Sequence, residues 1–228
     1  MKRLVLFSSP KGKNLGEIIK KIFPSEIENK VFAYLPTHKK YLNEEFADKW
    51  KDTARKYDAE FLYIDLEEPE DAKDKITKAN ILLMTGGNTF WLLDFLRKTG
   101  LYDAIKELYK KPEFIIAGWS AGAMVMTPTI AIGGLPNRDG GSSPMDDNKV
   151  GLTDLTAFNF VDFEIFPHYD ESLHKKTFDD YNKMKNGKVK ALTDDEYIII
   201  NLYLSTTGSI ATMTSECISD VLFSKNFW

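Results

Sequence analysis

Short apolar runs alternate with amphipathic stretches through the first 125 residues, and this alternation constrains the fold more than any other feature. The apolar runs are bounded by glycine, proline or charged residues, as buried strands commonly are. Between them lie stretches with helical spacing, such as 14–23, where Leu15, Ile18 and Ile22 share a face. Repetition of strand and helix predicts a parallel sheet with helices on both faces. The runs are 4–7, 31–35, 61–64, 81–84 and 114–117, and the helical stretches are 14–23, 41–57, 70–79, 89–99 and 101–110.

The second half of the chain follows a different pattern. Residues 127–151 are rich in glycine, proline, aspartate and serine, which predicts a long loop of the kind that is often functional or mobile. No repeat, linker or low-complexity tract is present. We therefore expect a single α/β domain over 1–228, a three-layer, doubly wound and mostly parallel sheet with extra strands in its C-terminal part. Those strands are predicted at 158–166, 189–192, 197–204, 209–213 and 217–223, with a charged helix at 171–185.

Composition and charge exclude several functional classes. The formal net charge is −4 and no basic cluster is present, so a nucleic-acid partner is not expected. The apolar stretch before Ser8 is too short for a signal peptide or a membrane span, which predicts a cytoplasmic protein. We expect it to be a monomer or a homodimer. The single cysteine, Cys217, excludes an intrachain disulfide. The three histidines are not clustered with it, so neither a metal site nor a cofactor is expected.

Parallel sheets bind ligands at the carboxyl ends of their strands. Here those ends read Ser-Ser-Pro at 8–10, Leu-Pro-Thr-His at 35–38, Thr-Gly-Gly-Asn-Thr at 85–89 and Gly-Trp-Ser-Ala-Gly at 118–122. We therefore expect the functional residues in these segments. His38 is a candidate for the rim of the site.

Ser120 lies in a Gly-x-Ser-x-Gly motif between a predicted strand and the stretch 121–126, which is compatible with a helix. This is the context of a nucleophile elbow, where a strained turn projects a serine hydroxyl above the sheet edge. The small residues at 118 and 122 would let the turn close, and the N–H of Ala121 would point to a developing oxyanion. The alternative is a glycine-rich turn with an incidental serine, and the motif alone does not separate the two.

The segment 85–90 contains two glycines after a buried strand, which allow the backbone to approach a ligand closely. In a parallel sheet it could adjoin the serine turn, so that Gly87 donates a second N–H to an oxyanion. Asn88 is a candidate substrate-binding residue. Either Asn88 or Thr89 could instead cap the following helix, and both readings can hold together.

His168 follows Pro167 at the end of a predicted strand. A general base for serine needs a pKa near neutrality and a position on the ligand-binding rim, and His168 fits better than the other histidines. The alternative is a histidine that merely closes a strand. His174 lies within a charged helix and is expected to be solvated.

Three motifs together resemble the peptidase E family: Gly-Gly-Asn-Thr-Phe at 86–90, Gly-Trp-Ser-Ala-Gly-Ala at 118–123 and Pro-His-Tyr at 167–169. These enzymes are aspartyl dipeptidases related to the cyanophycinases. The resemblance runs from Leu4 to about Leu204. It implies a fold like that of the class I glutamine amidotransferases, and a serine hydrolase that cleaves small peptides with a Ser-His-acid triad and an acyl-enzyme.

The resemblance also implies an acid in a turn between two late strands, which here reads Thr-Asp-Asp-Glu at 193–196. The match puts Asp194 at the acid position, with aspartate in place of the family's glutamate. Asp195 or Glu196 could serve if the register shifts, and Asp170, two residues after the histidine, is a further alternative. Apart from the resemblance, these acids are also typical of a solvated hairpin turn.

The residues constrain the substrate less than the reaction. An aspartyl dipeptidase must hold a carboxylate, and Arg138 in the long loop is the arginine expected near the site. Asp146 and Asp147 in the same loop would oppose an anionic substrate, which argues against aspartyl specificity. Trp119 either walls the site or packs beneath it. The rival functions are a noncatalytic or small-molecule binding protein and an amidase with a non-peptide substrate.

Overall fold

The computed structural model describes residues 2–37, 44–66 and 68–202, together with the backbone of 219–223. Three features named from the sequence lie outside the described residues: the rim candidate His38, the single cysteine Cys217 and the strand expected over 209–213. The strands are β1 (Lys2–Phe7), β2 (Lys30–Leu35), β3 (Ala59–Tyr63), β4 (Ile81–Met84), β5 (Phe114–Trp119), β6 (Glu164–Phe166), β7 (Val189–Ala191), β8 (Tyr197–Leu202) and β9 (Ser219–Phe223). The helices are α1 (Leu15–Ile22), α2 (Glu44–Lys56), α3 (Pro69–Lys78), α4 (Thr89–Lys98), α5 (Leu101–Tyr109), α6 (Ala121–Met124) and α7 (Glu171–Met184). None of the helices in this described part has the length and hydrophobicity that a membrane crossing requires.

Seven strands form the central sheet, in the order β3-β2-β4-β5-β1-β8-β9. Neighbours among the first five run parallel, whereas β8 is antiparallel to β1 and β9 is antiparallel to β8. A separate pair, β6 and β7, is also parallel. The prediction of a mostly parallel sheet with extra C-terminal strands is confirmed.

The sheet is buried on both faces, which explains why its strands read as continuous apolar runs. In β1, Leu4 and Leu6 belong to the core shared with α3, α4, α5 and α6. Val5 and Phe7 belong to the core shared with α1 and α2. Because successive side chains of a strand point to opposite faces, one apolar run supplies both cores. The result is the three-layer arrangement of helices, sheet and helices.

The prediction of a strand over 158–166 is wrong for 158–163, because only the last three residues form β6. The rings of Phe158 and Phe160 stack 4.9 Å apart and pack against two tyrosines of α5. Their N–H groups donate to carbonyl groups just after α6, and Asn159 between them has a φ of 56°, outside the extended region. The alternating aromatic residues therefore mark a buried connection.

The carboxyl ends of β1, β4 and β5 lie side by side at one edge of the sheet. In the register of these strands, Phe7 pairs with Trp119 and the end of β4 pairs with the same part of β5. The segments 8–10, 85–89 and 118–122 therefore begin at the same level. This edge is where the sequence predicts the functional residues to meet.

Candidate active site

Ser120 connects β5 to α6 in a strained backbone conformation, with φ 49° and ψ −117°. Residues other than glycine rarely adopt this combination, and such strain is concentrated at functional sites. The N–H of Ser120 donates to the carbonyl of Phe7 at 3.1 Å, and its carbonyl accepts from the N–H of Met124 at 2.9 Å. The turn is thus fixed on both sides, and the half-buried serine stands at the edge of the sheet.

The glycines on either side of Ser120 are required by close packing. A Cβ added at Gly118 would lie 2.5 Å from the carbonyl oxygen of Gly122, and one at Gly122 would lie 2.2 Å from that of Met84. Contacts this short with backbone atoms cannot be relieved by rotating a side chain. The tight turn expected from the motif is therefore present, and both glycines are needed for it.

His168 joins the serine to an acid. Its Nε2 lies 2.9 Å from Ser120 Oγ, and its Nδ1 lies 2.6 Å from Asp194 Oδ1. The side chains of His168 and Asp194 are 49% and 60% exposed, so a ligand can reach them from solvent. His168 has a φ of 53°, which a non-glycine residue adopts only where the surroundings hold it. The three residues form a continuous chain of hydrogen-bond contacts.

The other candidate acids serve local structure. Asp170 caps α7, where its carboxylate accepts from the N–H of Ser172 at 2.8 Å and from the hydroxyl of Ser172 at 2.6 Å. These bonds hold the pKa of Asp170 below its ordinary value. Asp195 pairs with Lys13 through the backbone N–H, at 2.8 Å, and through the ammonium group, at 2.9 Å. Glu196 accepts from the N–H of Thr193 at 2.8 Å. Among the described residues, Asp194 is the acid whose carboxylate contacts the His168 imidazole.

The Gly86–Gly87 turn lies against the serine. A Cβ at Gly86 would meet Ser120 Cβ at 3.2 Å and Trp119 Nε1 at 2.7 Å, so there is no room for a side chain at this position. Gly87 has a φ of 147°, which favours glycine, and a Cβ there would meet Thr37 at 2.7 Å. The hydroxyl of Thr37 donates to the carbonyl of Gly86 at 2.5 Å and so fixes the turn from the other side.

Asn88 makes two contacts in the structure, and the sequence predicts one of them. Its side chain caps α4 by accepting from the N–H of Trp91 at 2.8 Å, which confirms the capping interpretation. Its amide nitrogen donates to the carbonyl of Asp147 at 2.8 Å. Thr89 donates to Asp146 Oδ2 from its N–H at 3.0 Å and from its hydroxyl at 2.5 Å. The end of the long loop is thereby fastened to the turn beside the serine.

A cleft of about 720 Å³ opens between this turn and the long loop. It borders the site at Gly87, and Ser120, His168 and Asp194 are not among its lining residues. Burial raises the pKa of Asp146 above its ordinary value, although the bonds from Thr89 and the charge of His168 act in the opposite direction. Asp147 forms an ion pair with Lys149 at 3.3 Å. The lining therefore contains more acidic than basic side chains. The lining residues are Gly87, Asn88, Trp91, Ser143, Pro144, Met145, Asp146, Asp147, Lys149 and Val150.

The sequence model of peptidase family S51 matches residues 4–202 of this chain. The chain belongs to peptidase family S51. An uncharacterized peptidase of Pasteurella multocida is 33% identical over 151 residues, which cover 64% of this chain and 69% of that protein. A peptidase E of Haemophilus influenzae (strain PittGG) is 29% identical over 227 residues, which cover 95% of this chain and 87% of that protein.

Among solved structures, a candidate peptidase E from Listeria monocytogenes EGD-e superposes with a TM-score of 0.65 at 26% identity. The superposition covers 88% of this chain and 94% of the Listeria protein. The S51 assignment confirms the resemblance to the peptidase E family and the prediction of a serine-type peptidase.

Two candidate substrate-binding residues of this S51 peptidase do not line the cleft. Trp119 is 7% exposed and stacks on Trp50, with ring centroids 6.2 Å apart, so it packs beneath the site. Arg138 is exposed on a turn whose neighbour Asp139 is bound to α7. It is absent from the residues that line the cleft. The residues described here therefore place no arginine in it.

The long loop of the S51 peptidase is also held by α7. Asp139 accepts from the N–H groups of Lys176 and Thr177 at 2.8 Å each, and these bonds lower its pKa. His174 Nδ1 accepts from the N–H of Asp170 at 3.0 Å, so its Nε2 carries the proton that goes to the carbonyl of Asn137 at 2.8 Å. The expectation that His174 is solvated is wrong, since it is 6% exposed. The imidazole is buried because its two nitrogens join the loop to the helix.

The sequence indicates no role for Ser8, which contacts both His168 and Asp194. Its hydroxyl oxygen accepts from the N–H of His168 at 2.7 Å and lies 3.3 Å from Asp194 Oδ1. The segment 8–10 is one of the strand ends at which the sequence predicts functional residues, and that position is the one signal for Ser8. A serine after a strand is too common to identify alone.

Proposed function

We propose that this chain cleaves short peptides through an acyl-enzyme, with Ser120 as nucleophile, His168 as general base and Asp194 as the acid of the triad. The contacts that carry the proposal are those from Ser120 Oγ to His168 Nε2, at 2.9 Å, and from His168 Nδ1 to Asp194 Oδ1, at 2.6 Å. Membership of family S51 supports the reaction class.

In the first half of the reaction, Ser120 Oγ attacks the carbonyl carbon of the peptide bond while His168 Nε2 takes the hydroxyl proton. Asp194 accepts from His168 Nδ1–H, which keeps Nε2 free as the base and stabilises the imidazolium that forms. The imidazolium then gives its proton to the leaving nitrogen as the C–N bond breaks. The acyl group remains on Ser120, and the amine leaves.

In the second half, a water molecule gives a proton to His168 Nε2 and its oxygen attacks the acyl carbon. When the second tetrahedral intermediate collapses, Ser120 Oγ takes the proton back and the carboxylic acid is released. In both halves the negative oxygen would accept from the N–H groups of Ala121 and Gly87. The contact of Gly86 with Ser120 supports that role, because it puts the turn that contains Gly87 beside the nucleophile.

The cleft beside Gly87 supports a short peptide as substrate. Its volume of about 720 Å³ lies in the range of small-molecule sites. The resemblance to the peptidase E family implies dipeptide substrates, but Asp146 and Asp147 line the cleft of this chain. We therefore propose a dipeptidase that does not require an acidic side chain in its substrate.

The test combines a fluorophosphonate probe with a dipeptide panel, using wild type, Ser120→Ala and Ser25→Ala. Ser25 is exposed and lies before β2, away from the site, so its variant is a matched control. We expect the wild type and Ser25→Ala to be labelled and active, and Ser120→Ala to lose labelling and at least about 10³-fold in kcat. Full activity of Ser120→Ala would overturn the proposal.

The same experiment separates the rival functions. A noncatalytic binding protein would leave the probe unreacted, because an idle serine is not activated. An amidase acting on a non-peptide amide would be labelled at Ser120 but would not turn over any dipeptide of the panel.

A further inference from the structure

Ser8, directly after β1, contacts His168 and Asp194 of the proposed triad. Its described hydrogen bonds do not include one to Ser120. Its side chain is fully buried, so its hydrogen bonds are not exchanged with solvent. A backbone N–H can only donate, so the 2.7 Å contact makes Ser8 Oγ the acceptor from His168. The hydroxyl hydrogen of Ser8 is then directed to Asp194 Oδ1, at 3.3 Å.

We propose that Ser8 is a positioning residue that sets the distance between the His168 turn and the Asp194 turn. This inference rests on the proposed function. The two turns come from different parts of the chain, one between β6 and α7 and the other between β7 and β8. One hydroxyl joins the backbone of the first to the carboxylate of the second. It also supports the unusual φ of 53° at His168.

The rest of the loop between β1 and α1 supports the same role, because it packs against the turn that contains Asp194 and Asp195. A Cβ at Gly12 would lie 2.1 Å from the carbonyl oxygen of Asp194, so the backbones are in direct contact. Asn14 Nδ2 donates to the carbonyl of Asp195 at 2.8 Å, and the N–H of Lys13 donates to the carboxylate of Asp195 at 2.8 Å. Asp195 is held towards this loop, and Asp194 is left to face the histidine.

Backbone bonds elsewhere hold the two turns together without Ser8. The N–H of Tyr169 donates to the carbonyl of Leu192, and the N–H of Leu192 donates to that of Phe166, each at 2.9 Å. The loss of the Ser8 hydroxyl is therefore expected to leave the fold intact and to release only the finer alignment of His168 with Asp194.

The neighbouring Ser9 provides a matched control. It is also buried, at 6% exposure, but its hydroxyl oxygen accepts from the N–H of Lys11 at 3.2 Å, within its own loop. Ser8→Ala and Ser9→Ala thus remove the same group from adjacent buried positions. Only the first removes a contact to the proposed triad.

The experiment measures kcat and KM on the best dipeptide for wild type, Ser8→Ala, Ser8→Cys, Ser8→Thr and Ser9→Ala, with thermal unfolding of each. We expect kcat of Ser8→Ala to fall about 10- to 100-fold, as for a lost hydrogen bond to a charged group, with KM within about twofold. Ser8→Cys keeps the size but donates weakly and should behave like Ser8→Ala. Ser8→Thr restores the hydroxyl and should recover part of kcat, and Ser9→Ala should match wild type.

A spectroscopic readout keeps the inference distinct from the proposed function. The low-field proton resonance of His168 Nδ1–H, recorded on inactive Ser120→Ala protein, should broaden or move when Ser8→Ala is added and should not change with Ser9→Ala. If Ser120 proves essential while Ser8→Ala keeps full kcat and the resonance, the inference is wrong and the proposed function stands. If Ser120→Ala is fully active, the proposed function falls and Ser8 has no role in catalysis. A rise in KM alone, with kcat preserved, would also overturn the positioning role.

Discussion

The imidazole of His168 and the carboxylate of Asp194 are 2.6 Å apart, although the two residues are separated by 26 positions in the chain. The adjacent Asp195 directs its carboxylate to the other side of the same turn, 2.8 Å from the N–H of Lys13. Two neighbouring acids of the same type therefore have different partners. This difference can be measured with paired substitutions.

We expect Asp194→Asn to lower kcat by about 10²- to 10⁴-fold, because the amide no longer selects the tautomer that leaves Nε2 free and no longer stabilises the imidazolium. Asp195→Asn changes the charge by the same amount in the same turn and still accepts from Lys13. It should leave kcat within about twofold, as for a surface substitution. Steady-state kinetics on one dipeptide decide between them. Equal losses in the two variants would mean that the turn as a whole matters and that Asp194 has no special role.

Much of the fold could be predicted because the responsible physics is local. A parallel sheet buried on both faces requires continuous apolar strands, and β1, β4 and β5 carry them. The strained turn at Ser120 could be predicted for a similar reason, since glycines at 118 and 122 are required by the backbone contacts of that turn.

The remainder depends on contacts between distant segments. The alternation of Phe158 and Phe160 resembles a strand, and only their packing on α5 shows otherwise. Nothing near Asp194 in the sequence says that Lys13 will pair with the next acid and so fix the register. The burial of His174 likewise depends on a carbonyl 37 residues away.

Substitution by alanine should lower the free energy of unfolding at Gly122 and raise it at Gly16. A Cβ at Gly122 meets the carbonyl of Met84 at 2.2 Å, in a central strand that cannot move freely. We expect Gly122→Ala to destabilise the protein by about 1–3 kcal/mol, as overpacking does. A Cβ at Gly16, in α1, meets nothing within 4 Å, and Gly16→Ala should stabilise by about 0.5–1 kcal/mol. Urea denaturation of both variants measures the two free energies, and a stable Gly122→Ala would show that the turn can relax.

Asp146 should make the protein less stable as the pH rises. Its pKa in the folded state is raised, mainly by burial, so the folded state holds this proton more tightly than the unfolded state does. Raising the pH from the ordinary value of 3.8 through the folded pKa therefore costs folding free energy. The amide introduced by Asp146→Asn does not titrate, and its carbonyl can still accept from Thr89. The stability of Asp146→Asn relative to wild type should accordingly increase as the pH rises above about 4.

Asp139 provides the control of opposite sign. Its pKa in the folded state is lowered, chiefly by the N–H of Thr177, so its stabilising contribution is present above the unfolded pKa and is lost as the pH falls. Asp139→Asn should therefore lose stability relative to wild type as the pH rises to about 4, and its relative stability should stay constant above that pH. Denaturation curves at several pH values give both slopes. Parallel slopes for the two variants would contradict the assignment of burial to Asp146 and hydrogen bonding to Asp139.

The charge of the cleft should set which dipeptides bind. Asp147 is an exposed acid of the lining and is paired with Lys149, and Arg138 does not line the cleft. Dipeptides with a neutral first residue should therefore have a KM no higher than those with an N-terminal aspartate. Removing the carboxylate in Asp147→Asn should lower KM for the aspartyl substrate relative to the neutral one by about two- to fivefold, within the range of exposed charge interactions. The effect should shrink in high salt, because exposed charges are screened.

Asp162→Asn, which removes an exposed acid that does not line this cleft, is the control and should leave the ratio of the two KM values unchanged. An unchanged ratio in Asp147→Asn would show that Asp147 does not influence substrate choice.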